Sequence, residues 1–161
     1  MAIREATAND LDEIWEIFEN VIKKGDTFAF SPDTPKEDLS KLWFAPAMKT
    51  YVAVENGKIT GTYFIKPNQP GLGSHICNCG YMVSPAARGK GTGRLMCGHS
   101  IAKAKELGYK GMQYNLVVST NIKAVKLWER CGFKIIGTIP GGFHHRELGY
   151  VDTYIMFRTI D

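Results

Sequence analysis

Apolar residues along this chain recur with two different periods, which predict helices and strands in turn. After a short first strand at residues 2–6, Thr7 with Asp10 three positions later is typical of a helix start. Residues 51–55 and 58–65 are predicted strands, because the Asn56-Gly57 pair between them favours a two-residue hairpin turn. The apolar positions of the first helix are spaced three and four apart: Leu11, Ile14, Trp15, Phe18, Val21 and Ile22.

The rest of the chain continues this alternation and ends in two strands. Gly108 is predicted to stop one helix, and Asn121 to cap the next. Prolines and glycines at residues 67–73 and 140–146 predict surface loops. The predicted order is therefore β-α-α-β-β-β-α-β-α-β-β. Its remaining elements are a helix at 35–44, a strand at 75–83, a helix at 92–107, a strand at 111–118, a helix from 121, and strands at 132–139 and 150–158.

The strand at 75–83 leads into a turn in which every second residue is a glycine. Gly89, Gly91 and Gly93 allow backbone N–H groups to approach a ligand without a Cβ in the way. The helix predicted to begin near Gly91 adds unpaired amides and the positive end of its dipole. This combination is typical of a pyrophosphate site, and an ordinary turn before a helix is the alternative. The basic residues around the turn are Arg88, Lys90 and Arg94.

The spacing of these glycines excludes two common phosphate-binding motifs. The dinucleotide fingerprint needs G-x-G-x-x-G and the nucleoside triphosphate loop needs G-x-x-x-x-G-K-[ST], and residues 89–93 fit neither. The pattern present, Arg88-x-x-Gly91-x-Gly93, resembles the acetyl-CoA signature of the GCN5-related N-acetyltransferases, the GNAT superfamily. Residues 121–133 are similar to a later motif of the same superfamily, at Asn121, Ala124, Leu127, Gly132 and Phe133.

This resemblance covers the whole chain and implies its fold class. The implied fold is α/β (α+β), a mixed but mostly antiparallel sheet of about seven strands flanked by four helices. Residues 1–161 are expected to form a single N-acetyltransferase domain. The sheet would be splayed where acetyl-CoA, the implied cosubstrate, lies between the strand ending at Val83 and the strand from Gly111.

The resemblance also implies which residues hold this cosubstrate. Backbone groups of Tyr81, Met82 and Val83 would pair with the pantetheine arm, and an amide near Met82 would point at the thioester oxygen. Backbone from Arg88 to Arg94 would hold the pyrophosphate. The implied binding residues are Met82, Val83, Arg88, Gly89, Lys90, Gly91, Thr92, Gly93, Arg94 and Asn121.

One position departs from the superfamily pattern. Where the usual motif has a tyrosine that gives a proton to the leaving sulfur, this sequence has Trp128. An indole N–H donates a hydrogen bond but is not a useful acid near neutral pH. Either another group supplies the proton, or coenzyme A leaves as the anion. Packing in the core is the alternative role for Trp128.

Three asparagines point to an acceptor site. Asn78, Asn115 and Asn121, with the segment 148–152, resemble fungal acetyltransferases that act on proline analogues such as L-azetidine-2-carboxylate. That resemblance implies that Asn78 and Asn115 are the catalytic residues that hold the acceptor, and that Asn121 contacts the pantetheine or shapes the site. Asn115 lies in an apolar stretch, so the sequence predicts a buried amide that needs a partner. Closing a gap in the sheet is the alternative role for each asparagine.

The loop predicted at residues 140–146 is expected to overhang the acceptor. His144 and His145 in this loop are candidates for the base, because histidine titrates close to physiological pH. A solvated position without a catalytic role is the alternative for both.

Composition limits the class of partner. The net charge of +4 is mild, and the basic residues cluster only at the glycine-rich turn, so we expect no nucleic acid. No apolar run is long enough to span a membrane and the first residues show no secretory pattern, so we expect a cytoplasmic location and no membrane partner. His75, Cys77 and Cys79 share a strand face, but no second pair supports a metal site. Buried free thiols are expected at Cys77, Cys79, Cys97 and Cys131.

Together these features predict an acetyl-CoA-dependent N-acetyltransferase that acts on the amine of a small molecule, amino-acid-like or a proline analogue. A protein or peptide N-acetyltransferase and a non-catalytic acyl-CoA-binding module are the alternatives. Relatives are often homodimers, but no segment of the sequence identifies an interface. Aromatic residues that suggest covered walls, and so favour a small acceptor, are Phe28, Phe30, Phe143 and Tyr150.

Overall fold

The computed structural model describes all 161 residues, and its elements follow the predicted order. Short 3₁₀ turns lead into the first two helices. The helices are α1 (Leu11–Lys24), α2 (Leu39–Trp43), α3 (Thr92–Glu106) and α4 (Ile122–Arg130). The strands are β1 (Ala2–Glu5), β2 (Lys49–Glu55), β3 (Lys58–Pro67), β4 (Ile76–Val83), β5 (Gly111–Val118), β6 (Lys134–His145) and β7 (Gly149–Thr159).

All seven strands form one sheet in the order β1-β2-β3-β4-β5-β7-β6. Every neighbouring pair is antiparallel except β4 and β5, which run parallel. That pair is bonded only where Ile76 faces Gly111 and Cys77 faces Met112, and the two strands diverge beyond these rungs. The seven-stranded, mostly antiparallel sheet with four helices confirms the predicted fold class. The splay also lies between the two strands for which it was predicted.

Each face of the sheet is covered by its own hydrophobic cluster. On the α1 face, helices α1 and α2 bury Phe18 and Trp43 against Phe64 and Met82 of the sheet. On the opposite α3 face, Met96 and Cys97 of α3 pack against a second cluster from the central strands. Burial of each large apolar side chain contributes roughly 1.5–3 kcal/mol, so both clusters hold the splayed centre in place.

Alternation along β4 decides which side chains reach which face. Cys77 and Cys79 belong to the cluster on the α3 face, whereas Met82 belongs to the cluster on the α1 face. Because side chains alternate along a strand, Asn78 and Gly80 share the α1 face with Met82. The strand face that the sequence predicts for Cys77 and Cys79 is therefore the α3 face, and Asn78 lies on the opposite one.

The start of α1 is held by an ion pair between buried Asp10 and half-exposed Arg4. The carboxylate of Asp10 accepts the amide N–H of Thr7 at 2.7 Å and both guanidinium nitrogens of Arg4 at 2.8 Å. The hydrogen bonds from Arg4 are the largest cause that lowers the pKa of Asp10, to about 2. The predicted pairing of Thr7 with Asp10 is therefore present, with Arg4 as a further partner.

Two sequence predictions of local structure were wrong. Residues 140–146 are not a loop, because β6 continues to His145 and pairs with β7 as far as Gly149. The glycines there belong to a break in register between Ile139 and Phe143, with Gly141 at a φ of +60°. Glycine in a strand often marks such a bulge rather than the end of the strand. The helix predicted at 35–44 is also shorter, since only Leu39–Trp43 is α-helical.

None of the helices combines the length and the apolar character that crossing a bilayer requires.

Candidate active site

The peptide N–H groups at the start of α3 have no partner within the protein. The first bond into the helix runs from the N–H of Leu95 to the oxygen of Gly91 at 3.0 Å. Gly89 and Gly91 have φ values of +75° and +87°, and nothing lies within 4 Å of where their Cβ atoms would be. The space in front of this turn is therefore open, as an anion site requires. The N–H groups that donate to no protein acceptor are those of Gly89, Gly91, Thr92, Gly93 and Arg94.

The remaining residues of the turn contribute in other ways than predicted. The N–H groups of Arg88 and Lys90 already donate to Pro85 and Ala87, so these two residues keep only their exposed side chains free for a ligand. A Cβ on Gly93 would lie 3.2 Å from Leu127, so this glycine allows α3 and α4 to approach. Thr92 is buried, and its hydroxyl has no hydrogen-bond partner.

Backbone groups of β4 face the gap between β4 and β5. The N–H of Ser84 donates to Thr60, and the oxygen of Ile76 accepts the N–H of Asn68, so even-numbered residues of β4 bond to β3. The register between these two strands is unbroken, and Met82 is paired with Thr62. Because antiparallel pairs alternate, the peptide groups of Cys79, Tyr81 and Val83 point into the gap.

This alternation separates two of the residues that were predicted to bind the cosubstrate. The peptide group of Met82 is directed to β3 and its side chain is buried on the α1 face, so Met82 offers neither to the gap. Val83 keeps its predicted position, and Tyr81 supplies the other peptide group in this part of the strand.

A pair of tyrosines braces the splay on the α3 face. The hydroxyl of Tyr81 on β4 lies 2.9 Å from that of Tyr114 on β5, and 2.6 Å from Ser100 of α3. Ser100 donates in turn to the carbonyl of Cys97 at 2.8 Å. Burial is the largest cause that raises the pKa of both tyrosines well above the ordinary value. Neither phenol is therefore a useful acid.

Trp128 packs onto this brace. Its ring centre lies 4.9 Å from that of Tyr81 and 5.0 Å from that of Tyr114, and the side chain is partly buried. These contacts favour the packing role among the two that the sequence left open. The indole N–H donates to no protein group, whereas that of Trp43 is bonded to Thr62 at 3.0 Å.

Asn78 stands where β4 and β5 separate. Its side-chain N–H₂ donates across the gap to the carbonyl of Gln113 at 2.9 Å. The side chain thus continues the ladder by one rung, which is the gap-closing role weighed from the sequence. Its carbonyl oxygen remains available as an acceptor.

Asn115 is exposed, so the predicted buried amide was wrong. β5 breaks register between Tyr114 and Val117, and Asn115 lies in that irregular stretch. Its oxygen accepts from Gln113 at 3.0 Å, and its nitrogen donates to the oxygen of Asn68 at 2.7 Å. These contacts fix the orientation of the amide. We refer to Asn68, Asn78, Gln113 and Asn115 as the carboxamide row.

Asn121 lies apart from the carboxamide row. It immediately precedes α4, and its backbone carbonyl oxygen accepts the N–H of Val125 at 3.1 Å. Its side chain makes no capping hydrogen bond, so the predicted side-chain cap is absent. No hydrogen bond joins Asn121 to Asn78 or Asn115.

The tip of the β6–β7 hairpin contacts the C-terminal end of α1. The N–H of Arg146 donates to the carbonyl of Gly25 at 3.0 Å, and its guanidinium donates to that of Lys23 at 2.6 Å. His145 accepts the N–H groups of Glu147 and Leu148, so its Nδ1 stabilises the turn. The other histidine is exposed: His144 stacks on Tyr150 with ring centres 4.4 Å apart.

The cysteines are free thiols. Cys77, Cys79 and Cys97 are buried, as predicted, and Cys131 is only partly buried. No group of three or more His, Cys, Asp or Glu side chains is arranged to hold a metal ion.

Sequence reasoning missed Lys66, Asn68 and Gln113. Lys66 pairs directly with Asn78 across β3 and β4, and its ammonium lies 5.4 Å from the centre of the Phe64 ring. The predicted strand ended at residue 65, so Lys66 lay outside it and Asn68 was assigned to a loop. For Gln113, the available signal was the presence of polar residues in the otherwise apolar strand at 111–118.

Comparison with known proteins agrees with the geometry. The acetyltransferase (GNAT) family model matches residues 11–133. The chain belongs to this family. It is also similar to a GCN5-related N-acetyltransferase from Kribbella flavida of known structure, with 39% identity and a TM-score of 0.94 over 98% of this chain and 96% of that one.

Two further relatives show how far the likeness extends. The N-acetyltransferase aca1 of Schizosaccharomyces pombe is 43% identical over 112 residues, which are 69% of this chain and 54% of that protein. The chain therefore spans about half the length of this curated relative. A phosphinothricin acetyltransferase from Sinorhizobium meliloti, solved in complex with acetyl-CoA, shares the fold at 20% identity, with a TM-score of 0.88 over 99% of this chain and 88% of that one.

Proposed function

We propose that this GNAT protein moves the acetyl group of acetyl-CoA to the amine of a small molecule, amino-acid-like or a proline analogue. The observation that carries the proposal is the set of unpaired N–H groups at the start of α3, beside the open end of the β4–β5 splay. In this proposal residues 1–161 act as one acetyltransferase domain. Family membership supports the reaction class, and the cytoplasmic location stays a prediction.

The residues present fit acetyl-CoA. Unpaired amides and the helix dipole suit the diphosphate, and exposed Arg88, Lys90 and Arg94 add positive charge around it. Free peptide groups of Tyr81 and Val83 suit an extended pantetheine arm, which would bond to β4 as a neighbouring strand does. The S. meliloti relative of the same fold was solved with acetyl-CoA.

On the α1 face the chain's own residues would hold the amine. Acetyl-CoA supplies a thioester carbonyl that the amine attacks, with release of the thiol. The free oxygen of Asn78 is placed to accept an N–H of the amine, because its nitrogen is already held by Gln113. A gap-facing N–H of β4 would stabilise the negative charge on the carbonyl oxygen.

In this proposal no tyrosine phenol acts as the acid that protonates the leaving sulfur. Tyr81 and Tyr114 are bonded to one another, and burial raises the pKa of both. The unpaired N–H of Trp128 offers a hydrogen bond without a transferable proton. In this proposal coenzyme A leaves as the thiolate and water takes up the proton that the attacking amine loses, or water passes that proton on to the leaving sulfur.

The hairpin tip supports a small acceptor over a peptide. Arg146 ties the tip to the end of α1. In this proposal the tied tip closes one side of the acceptor site, which an extended peptide would need to leave open. Phe28 and Phe30 stack 5.9 Å apart beside Trp43, so the neighbouring wall is aromatic. Peptide acetylation and binding without catalysis are the outcomes that would replace this proposal.

The test combines binding with turnover. Calorimetric titration with acetyl-CoA is followed by a thiol-release assay against amino acids, cyclic imino acids, simple amines and N-terminal peptides. We expect saturable binding and thiol release that depends on a small amine. Binding without any amine-dependent release would leave an acyl-CoA-binding module, and release only with peptides would make it a peptide acetyltransferase. Absence of binding would contradict the proposal outright.

A further inference from the structure

All the cysteines of the chain lie in or against one hydrophobic cluster on the α3 face, and none is bonded to another. Two of them belong to the helices that follow the splayed strands. Cys97 of α3 is fully buried, whereas Cys131 directly follows α4 and is partly exposed. The proposed acetyl transfer uses neither thiol. A solvent-accessible thiol next to a second, resolving thiol is the arrangement on which oxidants act.

Topology brings these two cysteines to the same level of neighbouring helices. β4 and β5 run parallel, and α3 and α4 follow them on the same face of the sheet, so the two helices run in the same direction. They approach closely at Gly93, where a Cβ would lie 3.2 Å from Leu127. Cys97 and Cys131 each come four residues later, about one turn further along the same helix face. This spacing directs the two thiols towards one another.

Tyr114 of β5 is a common neighbour of both cysteines. Its hydroxyl lies 3.7 Å from the thiol of Cys97. Its ring centre lies 5.0 Å from that of Trp128 and 4.2 Å from that of Phe133, which flank Cys131 in the chain. Burial is the largest cause that raises the pKa of the Cys97 thiol, and the neighbouring thiol of Cys131 is the next.

A cation lies beside this pair. The guanidinium of Arg158 donates to the carbonyl of Cys131 at 2.6 Å, and it would lie 3.1 Å from a Cβ on Gly132. Burial is the main influence on the pKa of Cys97, and the positive charge of Arg158 opposes it. A nearby cation favours the thiolate, which is the nucleophile in disulfide formation. Exposure makes Cys131 the thiol that an oxidant from solvent reaches first.

We propose that hydrogen peroxide joins Cys97 and Cys131 in an intramolecular disulfide, and that this bond weakens the binding of acetyl-CoA. Peroxide oxidises the Cys131 thiolate to a sulfenic acid, and hydroxide leaves. The thiolate of Cys97 attacks that sulfur, the S–S bond forms and a second hydroxide leaves. The protons lost by the two thiols convert both hydroxides to water, so two thiols are oxidised and one peroxide is reduced.

The effect on acetyl-CoA is transmitted through the helix contact, and it rests on the proposed diphosphate site at the start of α3. A covalent bond replaces the contact between the thiols and draws the end of α4 towards α3. Leu127 already touches Gly93 one turn earlier, so the free peptide N–H groups of Thr92, Gly93 and Arg94 must shift. Amides that lose their common direction bind an anion less well.

The first measurement identifies the bond. Protein treated with hydrogen peroxide is alkylated at its remaining thiols, digested with trypsin and analysed by mass spectrometry. We expect a mass lower by two hydrogen atoms and a link between the peptides 95–103 and 131–134, which hold one cysteine each. Cys131→Ser should abolish the link, and Cys77→Ala is the matched control that should keep it. Four alkylated thiols after treatment, or a link between other cysteines, would overturn the proposal.

The second measurement is the affinity for acetyl-CoA, by calorimetry on reduced and oxidised protein. We expect the oxidised protein to bind about five- to tenfold more weakly, and dithiothreitol to restore the affinity. By linkage, saturating acetyl-CoA should lower the yield of the disulfide at equilibrium with a glutathione buffer by the same factor. Cys131→Ser, at a partly exposed position, should bind equally well before and after peroxide.

The outcomes separate this proposal from the proposed function. If protein that carries the disulfide binds acetyl-CoA as tightly as reduced protein, the switch is wrong while acetyl transfer stands. If reduced protein does not bind acetyl-CoA, the proposed function fails, and the predicted effect on affinity fails with it. Formation of the bond is then still decided by the mass of the linked peptides.

Discussion

The two ends of the splayed cleft are built from different parts of the chain. At the start of α3 the donors are peptide N–H groups of consecutive residues, and glycine is needed because φ is positive at Gly89 and Gly91. On the α1 face the polar groups are side chains of β4, of β5 and of the residue that follows β3, joined by hydrogen bonds between residues up to 47 positions apart. The first end depends on local backbone shape, and the second on how strands pair.

This difference predicts different responses to substitution. A backbone-built site depends more on conformation than on side-chain identity, because every residue except proline has a backbone N–H group. A side-chain-built site is sensitive to the identity of each residue. The following changes test that contrast, from the largest expected effect to the smallest.

Gly91→Val places a β-branched side chain at a φ of +87°, which only glycine adopts readily. The turn must shift to relieve the strain, and the amides then lose their common direction. We expect the Kd of acetyl-CoA to rise about 100-fold, measured by calorimetry. Gly98→Ala is the matched control, since Gly98 lies on the exposed side of α3 and should leave Kd unchanged. Normal affinity in a folded Gly91→Val protein would contradict the role of this backbone.

Asn78→Ala removes a side chain that both bridges the splay and offers an acceptor. We expect kcat/KM for the acceptor to fall about 30-fold, with less than about threefold change in the Kd of acetyl-CoA. Steady-state kinetics and calorimetry check the two numbers separately. Asn20→Ala, on the exposed side of α1, is the control. If Asn78→Ala weakened acetyl-CoA binding as much as it lowered kcat/KM for the acceptor, the two ends of the cleft would not be independent.

Replacement of Arg88, Lys90 and Arg94 together by glutamine tests the charge at the backbone-built end. All three side chains are exposed, so their attraction to a diphosphate is screened by salt. We expect the Kd of acetyl-CoA to rise about tenfold at low ionic strength and much less at high salt. A loss that persists at high salt would mean that these side chains, rather than the amides, dominate the site.

Tyr81→Phe tests whether the hydroxyl of Tyr81 supports the structure of the cleft or takes part in proton transfer. The change removes the hydroxyl between Tyr114 and Ser100, and we expect about 1–2 kcal/mol less free energy of unfolding in denaturant melts. Because burial raises the pKa of this phenol, the pH profile of turnover should not move. A lost alkaline limb in the profile would assign Tyr81 to proton transfer.

Asp10→Asn sets the baseline, since this residue belongs to neither end of the cleft. The pKa of Asp10 is about 2, below the ordinary value of 3.8, so its carboxylate stabilises the fold above about pH 4. That stability is lost as pH falls towards 2. Because Arg4 is half exposed, we expect a loss of only about 1 kcal/mol at pH 7, shrinking below pH 4 in urea melts. Acetyl-CoA affinity and turnover should not change.

Sequence reasoning located the backbone-built end and much of the fold because both are encoded locally. The Asn56-Gly57 turn, the stop at Gly108 and the start of α3 each depend on a few adjacent residues. The bulge near Gly141 was misread because the same glycine signal marks loops and strand irregularities.

The acceptor face could be predicted only in part. Asn78 was placed correctly on its strand, but Asn115 was expected to be buried and is exposed. The pairing of Lys66 with Asn78 and of Asn68 with Asn115 depends on strand register and on the path of a loop. Neither the register nor the path of the loop is determined by a few adjacent residues. Composition and spacing therefore could not predict which side chains meet on the acceptor face.

The phenol bridge between Tyr81 and Tyr114 has a consequence for the energetics of entry. Without such a contact, β4 and β5 could move together when the cleft is empty, and a ligand would then have to separate them. Here a direct O–H···O contact fixes their spacing beforehand. In the proposed complex the pantetheine arm would enter a gap whose width is already set, so none of its binding free energy would be needed to change the sheet.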